Sequence, residues 1–461
     1  MTDQHDFERI VADSVHGIGP LTPSDGALDR TMSRVSQKRQ RPEWLALIKE
    51  PPMRTGNQVA VGSPAVRVAA ITVATLLLAV ALAAAGAGAQ RLLAAEGPIV
   101  VAQDGTGTVT TIGEAVTMAE DGDEILVEPG TYTESVTVES DIVIRGDGDP
   151  SEIVVMAPED GPTAPTHSES SAEPYALLVS DNEATISGLT FAGEPSLVIV
   201  SGGSPTVADS IFDGVGWAFG TSGITQDGSS IVATAGTTAS IHGNTIVDGG
   251  PIAVFGMASP TVEANVLRDG PHIYLAEHGP TTEVRDNEIS GTLVRGIGVS
   301  SPGPVLIAGN RITDATGIGI RVGNNTGAEG WEPTIRDNVV EATVLGIDVT
   351  AGGAPIVEGN TIRGARTGIY AARTGGAYSD NTIEENFVGI SLVLGDDAPP
   401  ITDNTISHND VGLFANGAGT FPILSGNTIC DNANFNMRLG DDVTPPVIDE
   451  SNDICENPPA E

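Results

Sequence analysis

The chain has 461 residues, with 57 Gly, 30 Pro, two Cys and only 4% aromatic side chains. It carries 21 Lys and Arg against 61 Asp and Glu, a formal net charge of −40. The imbalance is uneven. Residues 1–91 hold ten of the basic and eight of the acidic residues, so the rest carries eleven Arg, no Lys and 61 − 8 = 53 acidic residues, a net of 11 − 53 = −42. That excludes nucleic acid as a partner of this part, because a phosphate backbone is bound by neutralising cations. Two Cys are also too few for a Cys-built metal site.

In chain order, residues 1–67 come first. Phe7–Ala12 and Ala27–Val35 read as two short amphipathic helices bounded by Pro20, Pro23, Pro42, Pro51, Pro52 and Pro64, in a tail that is otherwise disordered or docks elsewhere. An uncharged run, Val68 to Ala89, follows. At 1.5 Å per residue such a segment spans about 33 Å, enough for a bilayer. Lys38, Arg39, Arg41, Lys49, Arg54 and Arg67 precede it, which places residues 1–67 in the cytoplasm and the remainder outside. The competing reading is a secretory signal starting at Met53 and cleaved near Ala87-Gly88-Ala89. Residues 90–97 then link to a region spanning 98–461.

Within that region Asn, any residue, then Ile, Val or Leu recurs at Asn244, Asn265, Asn287, Asn310, Asn338, Asn360, Asn381, Asn404 and Asn427. The gaps are 21, 22, 23, 28, 22, 21, 23 and 23 residues. Asn386 and Asn409 carry the same string out of step. Ser210 and Leu189 hold the slot upstream. Fixed self-similarity at this period marks a solenoid, which grows in one dimension and so escapes the usual domain count. Each unit contains short runs alternating apolar and polar residues, separated by Gly, Asn and Asp, as in Pro355–Ile362 and Gly368–Ala371. Period two means strands with one buried face. Gly and Pro interrupt would-be helices, and the Leu spacing of a leucine-rich repeat is absent. The reading is an all-β, right-handed, single-stranded parallel β-helix of about 22-residue coils, with an N-terminal transmembrane helix. Coils stacked about 4.8 Å apart would set each Asn above the next, with amides bonding as a ladder. Asn and Gly tolerate left-handed backbone and so fit the corners.

Val101–Gly107, Thr111–Val116 and Gly122–Tyr132 resemble the N-terminal cap of the right-handed parallel β-helix (pectin lyase-like) superfamily, which includes pectate lyases, pectin esterases, polygalacturonases and alginate epimerases. The resemblance implies a strand, a short capping helix and a first coil there. It covers about residues 98 to 456 and implies a carbohydrate-binding or sugar-processing protein. It is specific for fold and weak for activity, since this fold hosts many chemistries. The pectin esterase Gly-x-Val-Asp-Phe-Ile-Phe-Gly motif has no counterpart. Asp269-Gly270-Pro271-His272 lacks the second Asp of the epimerase Asp-Pro-His-Asp. Ser407-His408-Asn409-Asp410 is the nearest string to the polygalacturonase Gly-His-Asp. A lyase site of spread carboxylates and an Arg base, with Ca²⁺ as its cofactor, is not excluded by the sequence.

Stacking turns one position of every coil into a column. Aligning the strands on their Gly-Ile pairs points Ile273, Leu275, Ile297, Val299, Ile320, Val322, Ile347, Val349, Ile369, Ala371, Ile390, Leu392, Leu413 and Ala415 inward. Tyr274, Gly298, Arg321, Asp348, Tyr370, Ser391 and Phe414 point outward, flanked by His272 and Arg295. An exposed strip of aromatics with Arg and Asp suits a sugar chain. Arg321 and Asp348 are the candidate catalytic pair. Tyr274, Tyr370, Phe414 and, on a long corner loop beside Glu329 and Glu332, Trp331 are the candidate binding residues. The plain alternative is ordinary strand decoration with a surface ion pair. Trp217 lies on a second long loop, and residues 157–174 read as a surface excursion. His242 and His278 lack a second ligand at metal spacing, so no metal centre is expected from them. Cys430 and Cys455, both in the last coils, suggest one disulfide in an exported protein.

Two function classes stand: a membrane-anchored extracytoplasmic protein that binds or processes a polysaccharide or cell-surface glycan, with lyase-type chemistry on an acidic glycan if it is an enzyme, or a non-enzymatic spacer or adhesion module.

Overall fold

The computed structural model describes residues 97–461 apart from 166–171, 194–196, 216–228, 302, 324–331, 351–352, 396–398, 442, 447 and 459–461. The expected tail helices, Val68–Ala89, Trp217, Glu329 and Trp331 lie outside the described residues. Among those described, no helix is long and apolar enough to cross a membrane.

Three sheets of 14 strands run the length of the solenoid. One coil shows the plan. Ile356–Glu358 lies in sheet I, Thr361–Arg363 in sheet II and Thr367–Ala372 in sheet III, before Ala377–Ser379 returns to sheet I. Each strand pairs in parallel with its counterpart one coil away. The exception is Thr163–Pro165, which adds antiparallel to Ala172–Ser180. The cap forms as the resemblance implies. Ile99–Val101 pairs with Glu124–Val127, and between them the helix Ile112–Met118 buries Ile112 and Ala115 against the open end. Its first turn is closed by Thr111, which accepts from the Glu114 N–H, and by the Glu134 carboxylate, which accepts from Ile112 and Gly113 at 2.8 Å each.

The ladder is present and completely bonded. Asn244 Oδ1 accepts the Ser210 N–H, and from Asn265 on each Asn Oδ1 accepts two N–H groups from the preceding coil's Asn, one backbone and one amide. Its Nδ2 donates to the next Asn and to a backbone carbonyl one coil back. At Asn360 these bonds are Asn338 N at 3.0 Å, Asn338 Nδ2 at 3.0 Å, Asn381 Oδ1 at 2.9 Å and Ile335 O at 2.9 Å. The ladder continues one member past the nine, to Asn452, whose Asp453-Ile454 fits the same phrase. Ser210 holds the slot upstream: its Oγ accepts the Leu189 N–H at 3.4 Å, and its own N–H goes to Asn244 Oδ1 at 3.1 Å.

Asn386 and Asn409, out of step with the first ladder, start a second one. It occupies the corner between sheets II and III and runs Asn386–Asn409–Asn432–Asn436, with each amide link 3.0 Å. The left-handed residue at each corner is not the Asn, contrary to expectation. It is the residue before it: Asp286 (φ 56), Asp337 (φ 56), Gly359 (φ 65), Asp380 (φ 55) and Asp403 (φ 58) for the first ladder. The Asn must stay in ordinary backbone to aim its amide along the axis, so the short residue ahead of it makes the turn.

All fourteen positions assigned inward are buried. They form one apolar column stack with the Val, Ile and Leu of sheets I and II, and it includes the stacked Phe191 and Phe212 rings, 5.0 Å apart. Cys430 and Cys455 are bonded as expected, Cα atoms 5.0 Å apart, beside the last sheet II pairing of Thr428–Cys430 with Asp453–Ile454.

Candidate functional site

The outward column holds in register. Tyr274 pairs with Gly298, Gly298 with Arg321, Arg321 with Asp348, Asp348 with Tyr370, Tyr370 with Ser391 and Ser391 with Phe414. The register thus sets Arg321, Asp348 and Tyr370 side by side on three successive coils.

The strip is not the exposed one expected. Asp348, Tyr370, Ser391 and Phe414 are all under 8% exposed. Tyr370 and Phe414 therefore cannot serve as open platforms, and Arg438 already sits over the Phe414 ring at 6.0 Å. The accessible part is the upstream one, where His272, Tyr274, Arg295 and Arg321 are half-buried. The Arg321–Asp348 pair is likewise no surface ion pair: Nε and Oδ2 are 3.7 Å apart, with side chains 15% and 5% exposed.

Arg295, read from sequence only as a flank, is central. Its guanidinium lies 5.6 Å from the Tyr274 ring centre, a cation–π contact. It lies there because the next outward residue is glycine. A Cβ at Gly298 would run into Arg295 Cδ and come within 2.9 Å of Nη1. The Tyr274 ring also meets Phe255 edge-on at 6.2 Å and His272 at 6.5 Å. A column alignment shows Gly298 as a gap, but not that a neighbour's side chain fills it.

The electrostatics are unusual for so acidic a chain. Burial pushes the Asp348 carboxyl up to about 6, more than Arg321 and Arg295 pull it down. Burial and the nearby Arg321 lower Arg295 to about 10. Burial, helped by Arg295, pushes His272 down to about 3, so it is neutral. Tyr370 is raised by burial and by Asp348. Four buried polar atoms of the column and its flanks have no hydrogen-bond partner: Asp348 Oδ1, Arg295 Nε, His272 Nε2 and Ser391 Oγ. Such atoms cost roughly 1–3 kcal/mol each, and ionisable groups shifted in this way cluster where a ligand or reaction uses them.

The Asp348 shift has a pH consequence. Its folded value lies above its ordinary 3.8, so its contribution to stability is fully present below pH 4 and is lost as pH rises through about 6. Relative to Asp348→Asn, the native chain is expected to lose about 2–3 kcal/mol between pH 4 and pH 7. Denaturant melts of both across that range check this, and a difference that stays flat with pH would refute the burial argument. Comparing with the variant cancels His272, which acts in the opposite direction.

Ca²⁺ does not fit this site. It takes six to eight oxygen ligands, and the cluster offers one carboxylate between two arginines. Among the described residues the one group of three metal-type ligands is Cys430, Asp453 and Cys455, and its sulfurs are in the disulfide.

The profile of a family described as "Right handed beta helix region" matches residues 176–362 and 345–457. The chain belongs to this family. No curated protein matches this β-helix chain. Among solved structures it is similar to the A-module of the mannuronan C-5 epimerase AlgE6 of Azotobacter vinelandii. The identity is 14% and the TM-score 0.50, over 76% of this chain and 94% of that one. It is also similar to the catalytic unit of a thermostable alpha-1,3-glucanase from Streptomyces thermodiastaticus, at 15% identity and TM-score 0.49, over 77% and 69% of the two chains. Tailspike protein 3 of bacteriophage CBA120 matches at 12% and 0.48, over 74% and 58%. At these identities the likeness is one of fold.

Proposed function

We propose that this β-helix protein, held outside the cell by Val68–Ala89, binds an acidic polysaccharide across the outer face of sheet III. The observation that carries the reading is the cation pair Arg295 and Arg321. Within a region of net charge −42 by sequence, two of its eleven arginines converge on one buried carboxylate beside an aromatic ring. A polyanion is repelled by the rest of the surface, so binding needs such a local reversal of charge. Tyr274 offers the ring for a sugar face, and the guanidiniums pair with its carboxylate. The polysaccharide-processing proteins that share the fold support the substrate class.

The same groups suit lyase-type chemistry. Arginines that neutralise a uronate carboxylate acidify the neighbouring C–H. Arg295, with its lowered pKa, is the group that takes that proton through its minor neutral form, as the C4–O bond breaks and water protonates the departing oxygen. An elimination leaves a conjugated double bond, which ultraviolet absorbance detects.

Arg321→Ala is expected to weaken binding of an oligouronate at least tenfold, while a neutral oligosaccharide loses little, because a charge-assisted bond is roughly twice as strong as a neutral one. Calorimetry on the purified full chain decides it. Equal losses for both ligands, or no binding by the native chain, would leave the spacer reading standing. That reading draws on the two continuous amide ladders, which stiffen the rod whether or not it binds anything.

A further inference from the structure

Arg295 and Arg321 repel each other, and only Arg321 reaches the carboxylate within ion-pair distance. Asp348 spends one oxygen on Arg321 and leaves Oδ1 buried with no partner. The charged groups facing it come from several strands. They are Arg321 on Ile318–Gly323, Arg295 on Arg295–Val299 and Tyr370 on Thr367–Ala372, with Tyr378 on Ala377–Ser379 acting from the core. None of these donates a hydrogen bond to Oδ1. Gly298 leaves the room in which Arg295 lies toward this cluster. One internal anion is thus shared by two cations and held in a place that disfavours its charge.

We propose that the cluster is a proton-linked anion subsite: a ligand carboxylate takes the place of the Asp348 charge between Arg295 and Arg321 as Asp348 takes up one proton. This rests on the acidic-glycan reading and adds its regulation. With the carboxylate bound and Asp348 neutral, two cations face one anion, the same balance as in the free protein. If Asp348 stayed ionised, two carboxylates would crowd one buried site, which disfavours charge on one of them. A protonated Asp348 also gains a donor, so its orphaned side can hydrogen-bond the ligand. Affinity for a carboxylated sugar therefore increases as pH falls toward 6, and a neutral sugar gains nothing.

The test is calorimetry of the full chain with trigalacturonate, and with maltotriose as the neutral control, at pH 5 to 8. Each pH uses two buffers of different ionisation enthalpy. The ligand's own carboxylates stay ionised throughout this range. The expected result is uptake of close to one proton per trigalacturonate at pH 7.5, declining at pH 5, with affinity falling about tenfold from pH 7 to pH 8. In Asp348→Asn the uptake disappears and the affinity becomes flat with pH. Binding by the native chain without proton uptake overturns the inference and leaves the glycan reading intact. So does uptake that persists in Asp348→Asn. Absence of trigalacturonate binding even at pH 5 overturns both.

Discussion

Asn360→Leu is expected to destabilise the solenoid by about 3 kcal/mol or more, several times the effect of an exposed change such as Asp147→Ser, which should stay within roughly 0.5 kcal/mol. Leucine keeps the branched skeleton of asparagine but replaces its polar ends with larger methyls, so no hydrogen bond survives at the side chain. It leaves the backbone N–H and one amide hydrogen of Asn338 unbonded, and it removes the Asn360 amide from the carbonyls of Ile335 and Glu358 and from Asn381 Oδ1, which keeps only the backbone N–H of residue 360; these bonds are 2.9–3.1 Å. Asn360 itself is 0% exposed, so water cannot replace those bonds. Because each coil touches only its neighbours, the damage should propagate outward from the coils on either side. Urea melts of both variants check it, and equal shifts at the two sites would mean that the ladder does not hold the coils together.

Gly368→Ala is the second. Gly368 is the second residue of the sheet III strand Thr367–Ala372 and has no left-handed backbone, so the glycine is there for close approach. A Cβ would fall 2.6 Å from the Gly389 carbonyl oxygen, 2.8 Å from Ile383 Cγ2 and 3.2 Å from Asn386 Nδ2. The nearest of these is backbone and cannot step aside without opening the coil spacing. The expected cost is about 3 kcal/mol, at the upper end of overpacking. Gly298→Ala makes the contrast. There the three nearest atoms to the added methyl all belong to the flexible Arg295 side chain, so stability should hold within about 1 kcal/mol while Arg295 leaves the Tyr274 ring. Equal losses at both glycines would show that neither clash is read correctly.

Much of this was legible in the chain, for a physical reason. A solenoid repeats its environment, so one aligned position fixes a column. Inward and outward assignments at Ile273 through Ala415 hold because the side-chain period of a strand is two and parallel stacking keeps register. The cap was legible because the resemblance carried it, and the disulfide because two Cys near one end leave one pairing. The left-handed corner residues were misassigned because Asn suits both the turn and the ladder, and only the backbone shows which task it performs. The second ladder was missed because its two members beyond Asn409, Asn432 and Asn436, do not follow the Asn-x-Ile, Val or Leu phrase. Burial of Asp348, Tyr370, Ser391 and Phe414 was not legible, since alternation tells which way a side chain points but not whether that side is closed. The role of Arg295 escaped for a related reason. It depends on an absent side chain at Gly298, three residues on in the same strand, and a gap in a column carries no chemical signal of what lies across it.

The central claim is that the outer face of sheet III around Arg295, Arg321 and Asp348 is where an acidic glycan binds. Hydrogen exchange of the full chain with and without saturating trigalacturonate tests it most directly, because it reports which strands the ligand covers without altering any residue. The account predicts added protection confined to Ile273–Leu275, Arg295–Val299, Ile318–Gly323 and Leu345–Thr350. Sheet II strands of the same coils, such as Arg311–Thr313 and Val339–Glu341, should stay unchanged. Protection centred on sheet I or sheet II, or spread evenly along the rod, would contradict it.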